Sequence, residues 1–118
     1  MAAFLGSGVP VFEIRAAGGA ETDMLVRSPA LGDALARTLG SEPMILLRGH
    51  GAAVVGLSVR QAVYRAFYAE KNAVLQSEAM KLGPVNYLNP IEARNAARTN
   101  DEQVDRPWQL WVSHLKQP

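Results

Sequence analysis

The stretch Met44-Ile-Leu-Leu-Arg-Gly-His-Gly-Ala-Ala-Val-Val-Gly56 decides the fold. Its two apolar runs, residues 44–47 and 52–55, are typical of strands that are covered on both faces of a sheet. The intervening Arg48-Gly49-His50-Gly51 contains two glycines, which permit a tight turn and let a ligand or ion approach the backbone closely. The pattern therefore predicts two buried strands joined by a tight element that places one imidazole at the mouth of a core.

Upstream of this stretch, the sequence predicts a strand over residues 9–14 and a turn or exposed loop over residues 15–23. A second, very short strand is predicted at residues 24–26. Ser28 followed by Pro29 then signals the start of a helix, and Gly40 is its stop signal. Leu31, Ala34, Leu35 and Thr38 share one face of this helix.

Downstream, Ser58 is a good N-cap for a long helix that runs to about Leu82. Glu70 lies near the centre of an apolar stripe on this helix, which comprises Val59, Ala62, Val63, Ala66, Phe67, Ala73 and Val74. A second stripe on the opposite side comprises Tyr64, Tyr68, Leu75, Ala79 and Leu82. We therefore expect one face of the helix to pack on the sheet and the other to meet a further layer or another subunit.

Two shorter helices are predicted near the end of the chain. Asn89, Pro90 and Glu92 form the cap, first-turn proline and N3 acid of one of them. Asp105 and Pro107 begin the last helix, whose apolar positions are Trp108, Trp111, Val112 and Leu115. The two tryptophans are expected to cover another part of the protein.

Composition narrows the function classes. The 118 residues are 48% hydrophobic and 19% charged, so residues 1–118 are expected to form one domain. The 12 Lys and Arg residues are scattered among 11 Asp and Glu residues, which argues against a nucleic-acid partner. No run approaches the ~20 apolar residues of a membrane span. The chain has no cysteine, which excludes thiolate chemistry and fits a cytoplasmic location.

Two residues are candidates for a metal site. His50 is either a structural histidine, as a lone histidine usually is, or a metal ligand. Glu70 is either a buried structural acid bonded to backbone amides, which we favour, or a carboxylate that holds the imidazole of His50 in its coordinating tautomer. Arg15 and Arg48 could anchor an anion, although ion pairing is the more common role of such residues.

Residues 44–56, followed by residues 58–70 with the internal Glu70, resemble the class II aldolase/adducin signature. In that family an apolar strand ends in His-Gly, a second strand ends in Gly, and a long helix carries an internal Glu. Residues 8–15, 23–32 and 105–111 resemble a branch that includes aromatic and pyridine carboxylate decarboxylases. Together these stretches cover nearly the whole chain.

The resemblance implies a three-layer α/β/α domain, with a central sheet flanked by helices, in a homo-oligomer. It implies a carbon–carbon lyase that uses a divalent metal, zinc, manganese or cobalt, held by three histidines. His50 matches the last of these histidines. The metal stabilises the enediolate or carbanion that forms when a small hydroxy or carboxylate substrate undergoes aldol cleavage or decarboxylation.

The chain departs from the family pattern because the His-x-His pair and the acidic general base are missing. The resemblance covers the C-terminal portion of the family's domain, so we expect a truncated chain that binds metal weakly or not at all by itself. No catalytic residue is assigned. The open alternatives are a lyase fragment, an adducin-like interaction module without catalysis, and an enzyme completed by a separate N-terminal half.

Overall fold

The computed structural model describes residues 2–115, which form two compact units. Gly8–Val54 form one, called here the sheet unit, and the residues up to 7 together with those from 55 onward form the other, called the helical unit. This mixture of a small sheet and several helices confirms the predicted α/β class, whereas the three-layer arrangement stays a prediction. Within residues 2–115, no helix combines the length and apolar character needed to cross a bilayer.

The sheet unit contains three strands in the spatial order β1, β2, β3. Strand β1 (Val11–Phe12) runs parallel to β2 (Met44–Leu47), and β2 runs antiparallel to β3 (Gly51–Val54). The predicted strands on either side of the Gly-His-Gly element are therefore confirmed, with β3 ending one residue earlier than expected. Strand β2 is central because it is hydrogen-bonded on both sides.

Helix α2 (Pro29–Leu39) covers one face of this sheet. The start of the helix is fixed by an N-cap: the Ser28 side chain accepts a hydrogen bond from the amide of Leu31 at 3.3 Å. Its apolar face packs against a buried cluster of Phe12, Ile14 and Ile45. Ile45 is 0% exposed. This small cluster is the hydrophobic core of the sheet unit.

Three expectations for the sheet unit are wrong. Strand β1 is limited to Val11–Phe12, and residues 15–18 form a short helix, α1 (Arg15–Gly18), in place of a loop. Residues 24–26 form no strand, because the side chains of Thr22 and Asp23 accept hydrogen bonds from the amides of Met24 and Leu25 and turn the backbone.

The prediction that β2 and β3 are covered on both faces is also wrong for the described residues. Alternate residues of a strand point to opposite faces, so Ile45 enters the core while Leu46 faces the other way. Leu46 is 40% exposed, and the β3 residues Gly51 and Ala52 are exposed as well. The continuous apolar run therefore has one covered face in the described part of the chain.

The helical unit consists of a short 3-10 helix (Ala3–Leu5) and three α-helices: α3 (Val59–Leu82), α4 (Pro90–Glu102) and α5 (Asp105–Leu115). All three α-helices begin where the sequence predicts. The predicted capping box of α4 is confirmed: the Asn89 side chain accepts from the amides of Ile91 and Glu92, and the Glu92 side chain accepts from the Asn89 amide.

The buried face of α3 is the one that carries Tyr64, which is 1% exposed. The ring of Phe67 lies 5.0 Å from that of Trp111 between centroids, so α5 covers part of α3 and one tail tryptophan has the predicted packing role. Both predicted stripes keep exposed apolar positions in the described chain, so cover by a further layer or another subunit stays a prediction. Val59 is 72% exposed and Val74 is 53% exposed. A helical pattern defines faces but does not say which of them is buried.

Polar side chains join the start of α3 to α4. The buried amide of Gln61 accepts from the Leu57 amide at 2.7 Å and donates to the Asp101 carboxylate at 3.0 Å. One turn later, the Arg65 guanidinium donates to the Val55 carbonyl at 2.9 Å and lies 5.9 Å from the centre of the Phe4 ring. These contacts hold the chain that leaves β3 against the first turns of α3.

Gly56 packs closely against the backbone of α3 within the helical unit. A Cβ atom at this position would lie 2.7 Å from the backbone nitrogen of Ala62 and 3.2 Å from its Cα. Because the obstructing atoms belong to a helix backbone, no side-chain rotation can relieve the overlap. The glycine that closes the apolar stretch is therefore required by the packing of the chain on α3.

We predict that Gly56→Ala destabilises the protein by about 1–3 kcal/mol, because the backbone has to move to admit the methyl group. Gly32→Ala is the matched control. Gly32 lies inside α2 with no atom near its hypothetical Cβ, so alanine there should stabilise the fold by about 0.5–1 kcal/mol. Chemical denaturation measures both changes. Equal effects of the two substitutions would contradict the packing argument.

Candidate functional site

The turn between β2 and β3 presents His50. The amide of His50 donates to the Leu47 carbonyl at 3.0 Å, and Leu47 pairs with Gly51 as the last rung of the hairpin. Gly49 has φ 68° and Gly51 has φ 153°, conformations that side chains disfavour and glycine adopts readily. The two glycines thus permit the tight turn, and the imidazole of His50 is exposed at its tip.

The parallel pairing of β1 and β2 brings together the residues that follow each strand. Phe12 pairs with Leu47, and the Arg48 amide donates to the Phe12 carbonyl at 3.2 Å. Glu13 and Arg48 are therefore neighbours at the carboxyl edge of the two strands. The Arg48 guanidinium reaches the Glu13 carboxylate at 2.5 Å between Nε and Oε2.

Glu13 binds a second arginine as well. Its Oε1 atom accepts from the backbone amide and the Nε of Arg15 at 3.1 and 3.0 Å, and its Oε2 lies 2.8 Å from the Arg15 Nη2. Hydrogen bonds from Arg15, with a further one from Arg48, lower the pKa of Glu13 from 4.5 to about 2. The cluster holds two guanidinium groups and one carboxylate, so this edge of the sheet unit carries excess positive charge.

The interpretation of Arg15 and Arg48 as ion-pair residues is confirmed by their contacts with Glu13. Glu13 itself was not singled out from the sequence. The signal that could have found it is its position immediately after a strand, because polar residues that follow neighbouring parallel strands meet at one edge of the sheet. That signal required knowing that β1 and β2 are adjacent and parallel.

The side chain of Met24 packs against the turn between β2 and β3. Met24 has φ 68°, which is unfavourable for a residue with a side chain. Its sulfur lies 3.6 Å from the Arg48 Nη2, and its methyl carbon lies 3.4 Å from the place that a Cβ on Gly49 would occupy. Packing of Met24 against the buried core cluster offsets this local strain. The turn that carries His50 is therefore braced by an apolar side chain and an ion pair.

The remaining predicted site residues lie elsewhere. Glu70 is on α3 in the helical unit and is exposed, so its interpretation as a buried structural acid is wrong for the described chain. His114 is exposed near the end of α5. Among residues 2–115, no three His, Asp or Glu side chains gather into a group that could hold a metal ion. The described residues thus offer His50 as one candidate ligand and do not fit a complete coordination shell.

Two comparisons with known proteins bear on this site. The family described as Class II Aldolase and Adducin N-terminal domain matches residues 1–77, which include the whole sheet unit and most of α3. Decarboxylase tropJ from Talaromyces stipitatus is 31% identical over 137 aligned positions, which cover 98% of this chain and 52% of that protein. The chain therefore spans about half the length of the curated relative it matches.

We predict that the Glu13 cluster makes the fold acid-sensitive. The folded-state pKa of about 2 lies below the ordinary 4.5, so the stabilisation is complete above about pH 4.5 and is lost as the pH falls toward 2. Glu13→Gln should remove this component and flatten the decline in melting temperature on acidification. Glu42→Gln, at an exposed position in the same unit, should leave the decline unchanged. Identical pH profiles for the native chain and Glu13→Gln would contradict the prediction.

Proposed function

The chain belongs to the class II aldolase and adducin family, and we propose that it contributes to a metal-dependent carbon–carbon lyase. The family typically uses a divalent metal, for which we propose zinc, manganese or cobalt. The reaction class is decarboxylation or aldol cleavage of a small hydroxy or carboxylate substrate. The name of the relative, a decarboxylase, supports the lyase over a non-catalytic adducin-like module. The resemblance to the family is thereby confirmed, whereas the activity is our proposal.

The observation that carries this proposal is the presentation of His50. Its imidazole is exposed at the tip of a turn whose two glycines place no side chain beside it. The turn is held on both sides, by the β2–β3 pairing and by the contacts of Arg48 with Glu13 and Met24. An accessible imidazole on a turn whose backbone is held in place suits metal ligation, because little backbone entropy is lost when a metal binds.

One imidazole does not make a metal site, so the proposal assigns this chain a single ligand. The other ligands and the general base would come from a complementary N-terminal half, and we propose that the assembled enzyme is a homo-oligomer. The exposed apolar side chains of α3, which include Val59, Val74, Leu75 and Leu82, support association with such a partner. We propose a cytoplasmic location for the assembly, in keeping with the absence of cysteine.

Glu70 has a secondary place in this proposal. Its carboxylate is exposed and makes no hydrogen bond or ion pair within residues 2–115, so it is available to hold an imidazole in the assembled enzyme. Glu70→Gln keeps the size of the side chain and removes its charge. If Glu70 orients His50, this substitution should weaken metal binding by the assembled enzyme by about 10- to 100-fold.

The test is calorimetric titration of the full chain with zinc, manganese and cobalt. We expect weak binding, because a single imidazole lacks the chelation that makes protein metal sites tight. His50→Ala should remove most of the binding heat, and His114→Ala, at the other histidine of the chain, should leave most of it.

Two results would contradict the proposal. Submicromolar binding at one site per chain that depends on His50 would mean that the chain itself holds a complete coordination shell. Equal binding by the native chain and His50→Ala would mean that His50 is not the ligand. Circular dichroism of each variant verifies that the fold is retained, as expected for substitutions at exposed positions.

A further inference from the structure

The helical unit contains a cavity that the proposed lyase site does not use. It has a volume of about 630 Å³ and is lined by Tyr64, Tyr68, Gln103, Arg106, Pro107 and Leu110. Pockets that bind small molecules usually enclose about 300–1,000 Å³. The cavity is therefore large enough for a small organic ligand.

Aromatic and apolar groups form most of its wall. The rings of Tyr64 and Tyr68 lie 4.6 Å apart between centroids and are inclined by 52°. Tyr64 is buried, and Phe67 and Trp111 contact the ring of Tyr68 from other sides, so these rings are held in place by packing. Preorganised aromatic walls favour a flat, apolar ligand, which can pack against them by stacked or edge contacts.

Arg106 is the charged member of the lining. Within residues 2–115 its guanidinium makes no ion pair, and two of the three acids within five positions of it in sequence, Asp105 and Asp101, are engaged elsewhere. Asp105 pairs with Arg60 at 2.9 Å, and Asp101 accepts from Gln61 at 3.0 Å. A guanidinium at the edge of an apolar pocket matches a carboxylate, which it can bind through two parallel hydrogen bonds.

We propose that this cavity binds a small aromatic monocarboxylate. The ring of the ligand would lie against Tyr64, Tyr68 and Leu110, with its carboxylate on Arg106 and the Gln103 amide within the same lining. One guanidinium among apolar walls suits a single negative charge on an apolar body better than a phosphate, which usually needs several donors. The site lies wholly in the helical unit and does not include His50, so it goes beyond the proposed lyase function.

The test is an amide-detected NMR titration of the full chain with benzoate and, as its uncharged counterpart, benzyl alcohol. Benzoate should shift the resonances of residues around the cavity and bind about tenfold more tightly than benzyl alcohol, because only benzoate can pair with Arg106. Arg106→Gln should weaken benzoate binding by about tenfold and leave benzyl alcohol binding unchanged. Arg94→Gln, an exposed arginine of α4 outside the lining, is the matched control and should bind benzoate as the native chain does.

The proposal is overturned if benzoate produces no shifts at the cavity, if benzyl alcohol binds equally well, or if Arg106→Gln binds benzoate like the native chain. The amide spectrum of each variant reports directly on whether the fold is intact. His50→Ala should bind benzoate normally. Arg106→Gln therefore tests the carboxylate site, and His50→Ala separately tests the metal-ligand proposal.

Discussion

Strand β2 is hydrogen-bonded to a neighbour on each side, and these two pairings position every polar group of the candidate metal-ligand site. The parallel pairing with β1 places Glu13 beside Arg48, and the antiparallel pairing with β3 forms the turn that presents His50. Ile45, at the middle of β2, is completely buried against Phe12 and Ile14. Burial of a few apolar side chains thus stabilises the strand whose carboxyl end leads into the turn that presents His50.

Short-range sequence patterns predict the helix starts and the hairpin of this fold. The starts of α2, α3 and α4 follow from Ser28, Ser58 and Asn89, whose side chains accept hydrogen bonds from amides in the next turn. The hairpin follows from apolar runs on either side of Gly-His-Gly. Each of these features depends on residues within a few positions of one another, so the sequence alone is sufficient to predict them.

Features that depend on distant contacts were harder to predict. The two apolar stripes of α3 are both real patterns, yet Tyr64 is buried while Val59, Val74, Leu75 and Leu82 are exposed. The contact of Glu13 with Arg48 requires the adjacency of β1 and β2, which cannot be inferred from two positions that lie so far apart in the sequence. His50 was identifiable because the glycines that expose it are its sequence neighbours. The cavity beside Arg106 was missed because its lining comes from α3, α5 and the segment between α4 and α5.

The central claim is that this chain contributes one imidazole, from His50, to a metal site that needs further ligands. X-ray absorption at the cobalt edge tests it most directly, because scattering from imidazole rings reports how many histidines bind the ion. For the cobalt-loaded chain, the account predicts one imidazole per metal, with oxygen ligands completing the shell, and loss of that imidazole in His50→Ala. Two or more imidazoles per metal, or one that survives His50→Ala, would contradict it.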